Sequence, residues 1–170
     1  PGDRIRLGVG ARLSLVRDGL TIPTDLAARD LGLAPDYVQL WLTRDWKEDW
    51  APRAKLAALA ARGVTPVVVH YFFGDGLSRE RFEGARDAWY ASVWRLAQQI
   101  RIDAPVLVVL EPEWNQPAPR GQTSLQDWAG FAEDLRAAAE MIRRDAPNAL
   151  VGTCPGDFAG PPNLERVLGP

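Results

Sequence analysis

The sequence predicts an α/β chain built on a parallel sheet, either the first five units of a TIM-type (β/α)₈ barrel or a five-stranded doubly wound sheet. Three observations carry this expectation. Short β-branched runs alternate with longer Ala/Leu/Arg segments. The short runs are mostly continuously apolar, as in strands buried on both faces of a parallel sheet. Their starts, near residues 4, 37, 66, 105 and 149, step by roughly 36 residues, the length of a βα unit. Eight such units need about 290 residues, within the range of (β/α)₈ barrels. The 170 residues hold five and are read as one domain, residues 1–170, a partial catalytic-type βα barrel.

In chain order, the strand candidates are Arg4 to Val9, Tyr37 to Leu42, Pro66 to Phe72, Pro105 to Leu110 and Ala149 to Thr153. Asp25 to Arg29 is a short helical piece. Trp50 to Arg62 reads as a helix through Leu56 and Leu59 that stops at Gly63, a residue suited to a helix C-terminus. A second helix begins at Ser78, an N-cap residue, and runs through Trp89, Val93, Leu96 and Ile100. A third starts near Ser124 and places Trp128, Phe131, Leu135, Ala138 and Ile142 on one stripe. Asn163 to Leu168 has the look of a further element beginning, and the first residue is Pro1, so the sequence reads as a piece of something longer.

Composition narrows the function. Hydrophobic residues at 46% and charged residues at 25% are ordinary globular usage, which disfavours a disordered chain or a disulfide scaffold. Twenty basic against 22 acidic residues, a net charge of -2, favour neither nucleic acid nor an anionic membrane as partner. The longest apolar runs have strand length, so no membrane span is expected. One histidine and one cysteine, Cys154, assemble neither a zinc site nor an internal disulfide, and no cofactor or metal is implied. Gly8 and Gly10 lack the third glycine of a dinucleotide loop, and no Gly-x-Ser-x-Gly elbow occurs.

The informative stretch is Val106 to Gln116. A buried strand loses polar groups, yet Glu111, Glu113, Trp114 and Asn115 follow this one at its carboxyl end, the functional face of either parallel architecture. Strand alternation sends Glu111 and Glu113 to the same side, with Pro112 interrupting the ladder. A neighbouring carboxylate and an apolar indole raise a glutamate towards the neutral range that a general acid needs. The roles of the two are interchangeable at this level. The bland alternative pairs one glutamate with an arginine and leaves the other solvated.

His70 and Tyr71 close the preceding strand, where the histidine either bonds a substrate hydroxyl or is a satisfied core residue. Seven tryptophans are many for this length. Trp41, Trp46 and Trp114, at strand ends, suit the C–H faces of sugars, while Trp89, Trp94 and Trp128 lie on helical stripes and read as core. Asp157, after the fifth strand, is placed to face the same pocket.

An apolar strand followed by Pro112-Glu113-Trp114-Asn115, a loop, an amphipathic helix and Asn148 to Thr153 resembles the central part of retaining (β/α)₈ glycoside hydrolases. The nearest resemblance is to the mannanase-like family 26, or a related clan member, whose fourth strand ends in an Arg-Pro-x-His-Glu-Met-Asn-Gly type motif. Glu113 and Asn115 match its acid/base and the asparagine two residues on. Pro112 stands where the family has histidine, Leu110 where it has proline, Trp114 where it has methionine and Gln116 where it has glycine. The resemblance implies cleavage of O-glycosidic bonds in a polysaccharide or oligosaccharide by an extracellular or periplasmic enzyme, with Glu113 as acid/base and a nucleophile on a seventh strand. Glu111 or Asp157 is the alternative second carboxylate. The rival readings are a non-catalytic carbohydrate-binding barrel and a doubly wound domain binding a small ligand. A cytoplasmic location stays open, as does the oligomeric state.

Overall fold

The computed structural model describes residues 6–10, 32 and 34–156. The expected helical piece at 25–29, the strand residues 4 and 5, Asp157 and the element at 163–168 lie outside them. The described chain is an α/β fold with five parallel strands: β1 (Gly8–Gly10), β2 (Tyr37–Thr43), β3 (Thr65–Tyr71), β4 (Val106–Leu110) and β5 (Ala149–Gly152). Their order across the sheet is β1-β2-β3-β4-β5, the order in the chain, with no reversal of direction.

The helices are α1 (Arg53–Ala61), α2 (Arg79–Glu83), α3 (Arg86–Gln99) and α4 (Ala129–Asp145). Ser78 caps α2 as its residue type predicts, its Oγ accepting the Arg81 N–H at 3.2 Å. The single helix expected over 78–100 is two, because α2 ends at Gly84 and α3 starts afresh after Ala85. The segment before α4 is likewise a separate 3₁₀ turn, Leu125–Asp127.

Register separates two faces of the sheet. Leu40, Val68, Val108 and Val151 are paired in one row across β2 to β5, and Leu42, His70 and Leu110 in another. Every strand residue of the main hydrophobic core belongs to this face, where it meets Leu56 and Leu59 of α1, Trp89, Val93 and Leu96 of α3 and Phe131, Ala138 and Ile142 of α4. The interleaved rows, Gln39-Val67-Leu107-Leu150 and Trp41-Val69-Val109-Gly152, form the other face. Apart from Gln39 these residues are apolar, and those of β2 and β5 are less covered: Trp41 is 47% and Leu150 62% exposed, while Val69 between them is 2% exposed. Among the described residues of these two rows only Val69 is buried and the rest are half-buried or exposed, although the continuous apolar runs predict burial on both faces.

Trp89 lies in the core as its stripe predicts, and Trp128 packs against it. Trp94 does not: it is 52% exposed, since it follows Val93 by one residue and so turns about 100° away from the stripe of Trp89, Val93 and Leu96.

Candidate functional site

The carboxyl end of the sheet is shaped by one turn. β4 finishes at Leu110, and Glu111 donates its N–H to His70 O at 2.9 Å as the last bond on the β3 side. Pro112 has no N–H to continue the ladder. On either side of it the backbone is left-handed, with φ 41° at Glu111 and 58° at Glu113. Non-glycine residues adopt such angles only where the surroundings over-determine them. Here the surroundings are hydrogen bonds: Glu113 N–H donates to Cys154 O at 2.7 Å, and both Glu111 carboxyl oxygens are held.

That turn separates the two glutamates. Glu111 leaves the extended conformation before it can follow alternation, so its side chain enters the helix-covered layer and is 1% exposed. Its Oε1 accepts the Trp89 indole N–H at 2.8 Å and the Phe72 N–H at 3.2 Å, while Oε2 accepts the Phe73 N–H at 3.4 Å. His70, fully buried, places Nδ1 3.3 Å from the same Oε1. Its Nε2 shares a 2.9 Å hydrogen bond with Ser92 Oγ, which also accepts the Trp46 indole N–H at 2.9 Å. Trp46, Ser92, His70, Glu111 and Trp89 thus form a buried polar chain joining β3, β4 and α3.

Glu113 points the other way and is exposed. Its Oε2 accepts the Gln116 side-chain N–H at 2.8 Å, and Gln116 Oε1 accepts the Gly76 N–H at 3.4 Å, which ties the loop after β3 to the loop after β4. Tyr71 ends the open face of β3. Its ring meets Trp41 edge-on at 5.5 Å, and its hydroxyl donates to Asp75 Oδ1. Burial, the Asp75 bond and the carboxylates of Asp75, Glu113 and Glu111 all hold the Tyr71 phenol well above its ordinary pKa. Tyr71 therefore stays a neutral donor at the edge of an acidic surface.

The expected site residues consequently divide. Trp41, Tyr71 and Glu113 lie at the open end of the sheet. Glu111 and His70 sit in the buried chain beneath it. Trp46 is core rather than a platform, with Arg95 stacked over its ring at 4.0 Å. Trp114 is also buried, against Phe131. Asn115, fully buried, spends its carboxamide on Gly156: Nδ2 donates to Gly156 O and Oδ1 accepts Gly156 N–H, both at 2.7 Å. It fastens the loop after β4 to the loop after β5. Asp157 lies just beyond the described residues.

Three contributors escaped the sequence reading. Gln116 and Asp75 are polar residues in turn-rich stretches, where polarity is unremarkable. Ser92 is a small polar residue one position before the apolar Val93, and its position beside His70 depends on how α3 packs. Among the described residues, no group of three or more His, Cys, Asp or Glu is placed to hold a metal ion. No described helix is long and apolar enough to cross a membrane. No protein-family model matches the chain, and no curated protein sequence matches it.

Proposed function

We propose that the sheet is the first part of a (β/α)₈-type barrel in an exported hydrolase and that Glu113 serves as general acid/base in cleaving an O-glycosidic bond of a polysaccharide. The observation that carries this reading is the division of the two glutamates. Glu111 is enclosed by donors, whereas Glu113 stands exposed at the carboxyl end of a parallel strand, on the side of Tyr71 and Trp41. Active sites of parallel barrels occupy that end.

The barrel reading is supported by the consecutive strand order and by the apolar face that carries no helix among the described residues. A doubly wound sheet reverses its order and has helices on both faces. A barrel keeps its helices outside and fills its interior with inward side chains such as Val67, Val69, Leu107 and Val109. Trp41 then offers its indole to the C–H face of a sugar, and the Tyr71 hydroxyl oxygen, whose proton goes to Asp75, accepts from a sugar hydroxyl. Glu113 protonates the leaving oxygen. A retaining reaction also requires a nucleophilic carboxylate roughly 5 Å away, which this reading assigns to a later strand.

The test is release of reducing ends from a panel of polysaccharides, β-mannan first, by the full-length protein and its Glu113→Gln variant. Loss of a positioned general acid costs about 10²- to 10⁴-fold, and the variant is expected to fall by that much while still binding oligosaccharide. Unchanged hydrolysis removes Glu113 from the reaction. One observation favours a second reading: Glu113 is held by Gln116 and no other carboxylate contacts it among the described residues. A binding barrel without catalysis would show calorimetric binding of glycans and no reducing ends from either protein.

A further inference from the structure

We propose that a cleft on the helical side of the β2 and β3 ends binds a uronic acid residue, a sugar ring carrying a carboxylate. The cleft measures about 430 Å³ and is lined chiefly by Arg44, Asp45, Phe72, Ser92, Trp94 and Arg95. That volume falls within the range of small-ligand pockets. It shares none of Trp41, Tyr71 or Glu113, so it goes beyond the strand-end site.

The lining has three kinds of group, and together they select the ligand. Arg44 and Arg95 supply two cations. The Arg44 guanidinium lies over the Phe72 ring at 5.4 Å, and that of Arg95 over Trp46 at 4.0 Å, so each is already oriented by an aromatic face. Arg95 also donates from Nη2 to Trp46 O at 2.9 Å, which leaves its Nε–H buried with no acceptor. Guanidinium groups take carboxylates in preference to neutral acceptors because the hydrogen bonds are charge-assisted and matched in geometry.

Asp45 lines the same cleft, so the site holds one net positive charge rather than two. A bare anion gains little from such a mixed surface. A ligand with a carboxylate for the arginines and hydroxyls for Asp45 satisfies both signs. Trp94 completes the set: its indole is 52% exposed on α3 and presents an apolar face to the C–H side of a sugar ring. Ser92 forms part of the wall, its own Oγ bonded inward to Trp46 and His70.

The inference is tested by calorimetric titration of the full chain with D-glucuronate, D-glucose and inorganic phosphate, repeated on Trp94→Ala and Arg44→Gln, both at exposed positions. Saturable binding of glucuronate, weakened at least tenfold in each variant and absent for glucose, is the expected result. Equal binding of glucose shows that the carboxylate is not read. Phosphate binding as tightly as glucuronate, with Trp94→Ala unaffected, reduces the cleft to general attraction of anions. Either result, or no saturation by glucuronate, overturns the inference. Monomeric glucuronate has no glycosidic bond to cleave, so these outcomes are independent of whether Glu113 performs hydrolysis.

Discussion

On the helix-covered face of the sheet, the row Leu42, His70 and Leu110 is closed over by Trp46, Ser92 and Trp89. On the other face, the row Trp41, Val69 and Val109 carries no helix among the described residues. Both faces have aromatic and carboxyl groups at their carboxyl ends, yet the groups differ in what remains available. On the covered side the indole N–H groups of Trp46 and Trp89 and each Glu111 oxygen have a partner, so the polar atoms hold β3, β4 and α3 together. On the open side Glu113, Tyr71 and Trp41 present surface to solvent. Burial and hydrogen-bond saturation, rather than residue type, separate a structural carboxyl group from one that can meet a ligand.

The sharpest way to break this contrast is to remove each glutamate in turn. Glu111→Ala strands the N–H groups of Trp89, Phe72 and Phe73, each costing about 1 to 3 kcal/mol when buried without an acceptor. A total loss of roughly 4 kcal/mol or more is expected in urea denaturation, a large part of the stability of an ordinary domain. Glu111→Gln keeps one acceptor oxygen and should lose about half as much. Glu113→Ala, at an exposed position, is expected within about 0.5 kcal/mol of the parent. Similar costs for Glu111→Ala and Glu113→Ala would erase the distinction.

How much of this was legible beforehand depends on what each feature rests on. The strands were, because Val67-Val68-Val69 and Val106 to Leu110 are apolar runs of strand length bounded by turn residues, and nothing in their surroundings competes with that assignment. The ends of β2 to β5 shifted by one residue, as ends set by local hydrogen bonds do, whereas the first strand, expected from Arg4, begins only at Gly8, after Arg6 and Leu7. The cluster after β4 was legible too, because carboxylates and a carboxamide are out of place at the end of a buried strand. The direction of Glu111 was not. Alternation extrapolates an extended backbone, and the left-handed turn around Pro112 depends on donors from Phe72, Phe73 and Trp89 and on the carbonyl acceptor of Cys154, all of which lie in other elements. The burial of Trp46 and Asn115 was not legible for the same reason: their partners, Ser92 and Gly156, are 46 and 41 residues away.

A pair of adjacent valines sharpens the contrast between the faces at lower cost. Val108 lies in the core at 2% exposure, and Val109, the next residue, points to the open face. Val108→Ala should cost about 2 kcal/mol through lost burial and a small cavity. Val109→Ala should cost roughly 0.5 kcal/mol, within the range of partly exposed substitutions. Equal losses, read from matched urea midpoints and slopes, would mean that the second face is as well covered as the first, which is what a closed barrel interior requires.

The smallest expected effect uses the two tyrosines as reporters of the two sides. Burial, then the Asp75 hydrogen bond and charge, raises the Tyr71 phenol; burial, then the Asp134 hydrogen bond and charge, pushes Tyr90, on α3, up to about 12. Both lie above the ordinary phenol value of about 10 that the unfolded chain shows. The folded state therefore binds these protons more tightly. The resulting stability is fully present below pH of about 10 and is lost as the pH rises through the folded values. In a near-ultraviolet titration, Tyr71→Phe and Tyr90→Phe should each remove a late-ionising phenol. Glu113→Gln takes away one of the negative charges that raise Tyr71 and none that raise Tyr90, so only the Tyr71 transition should move, downward and by a small amount. A shift of both phenols, or of neither, would mean that Glu113 does not share the open surface with Tyr71.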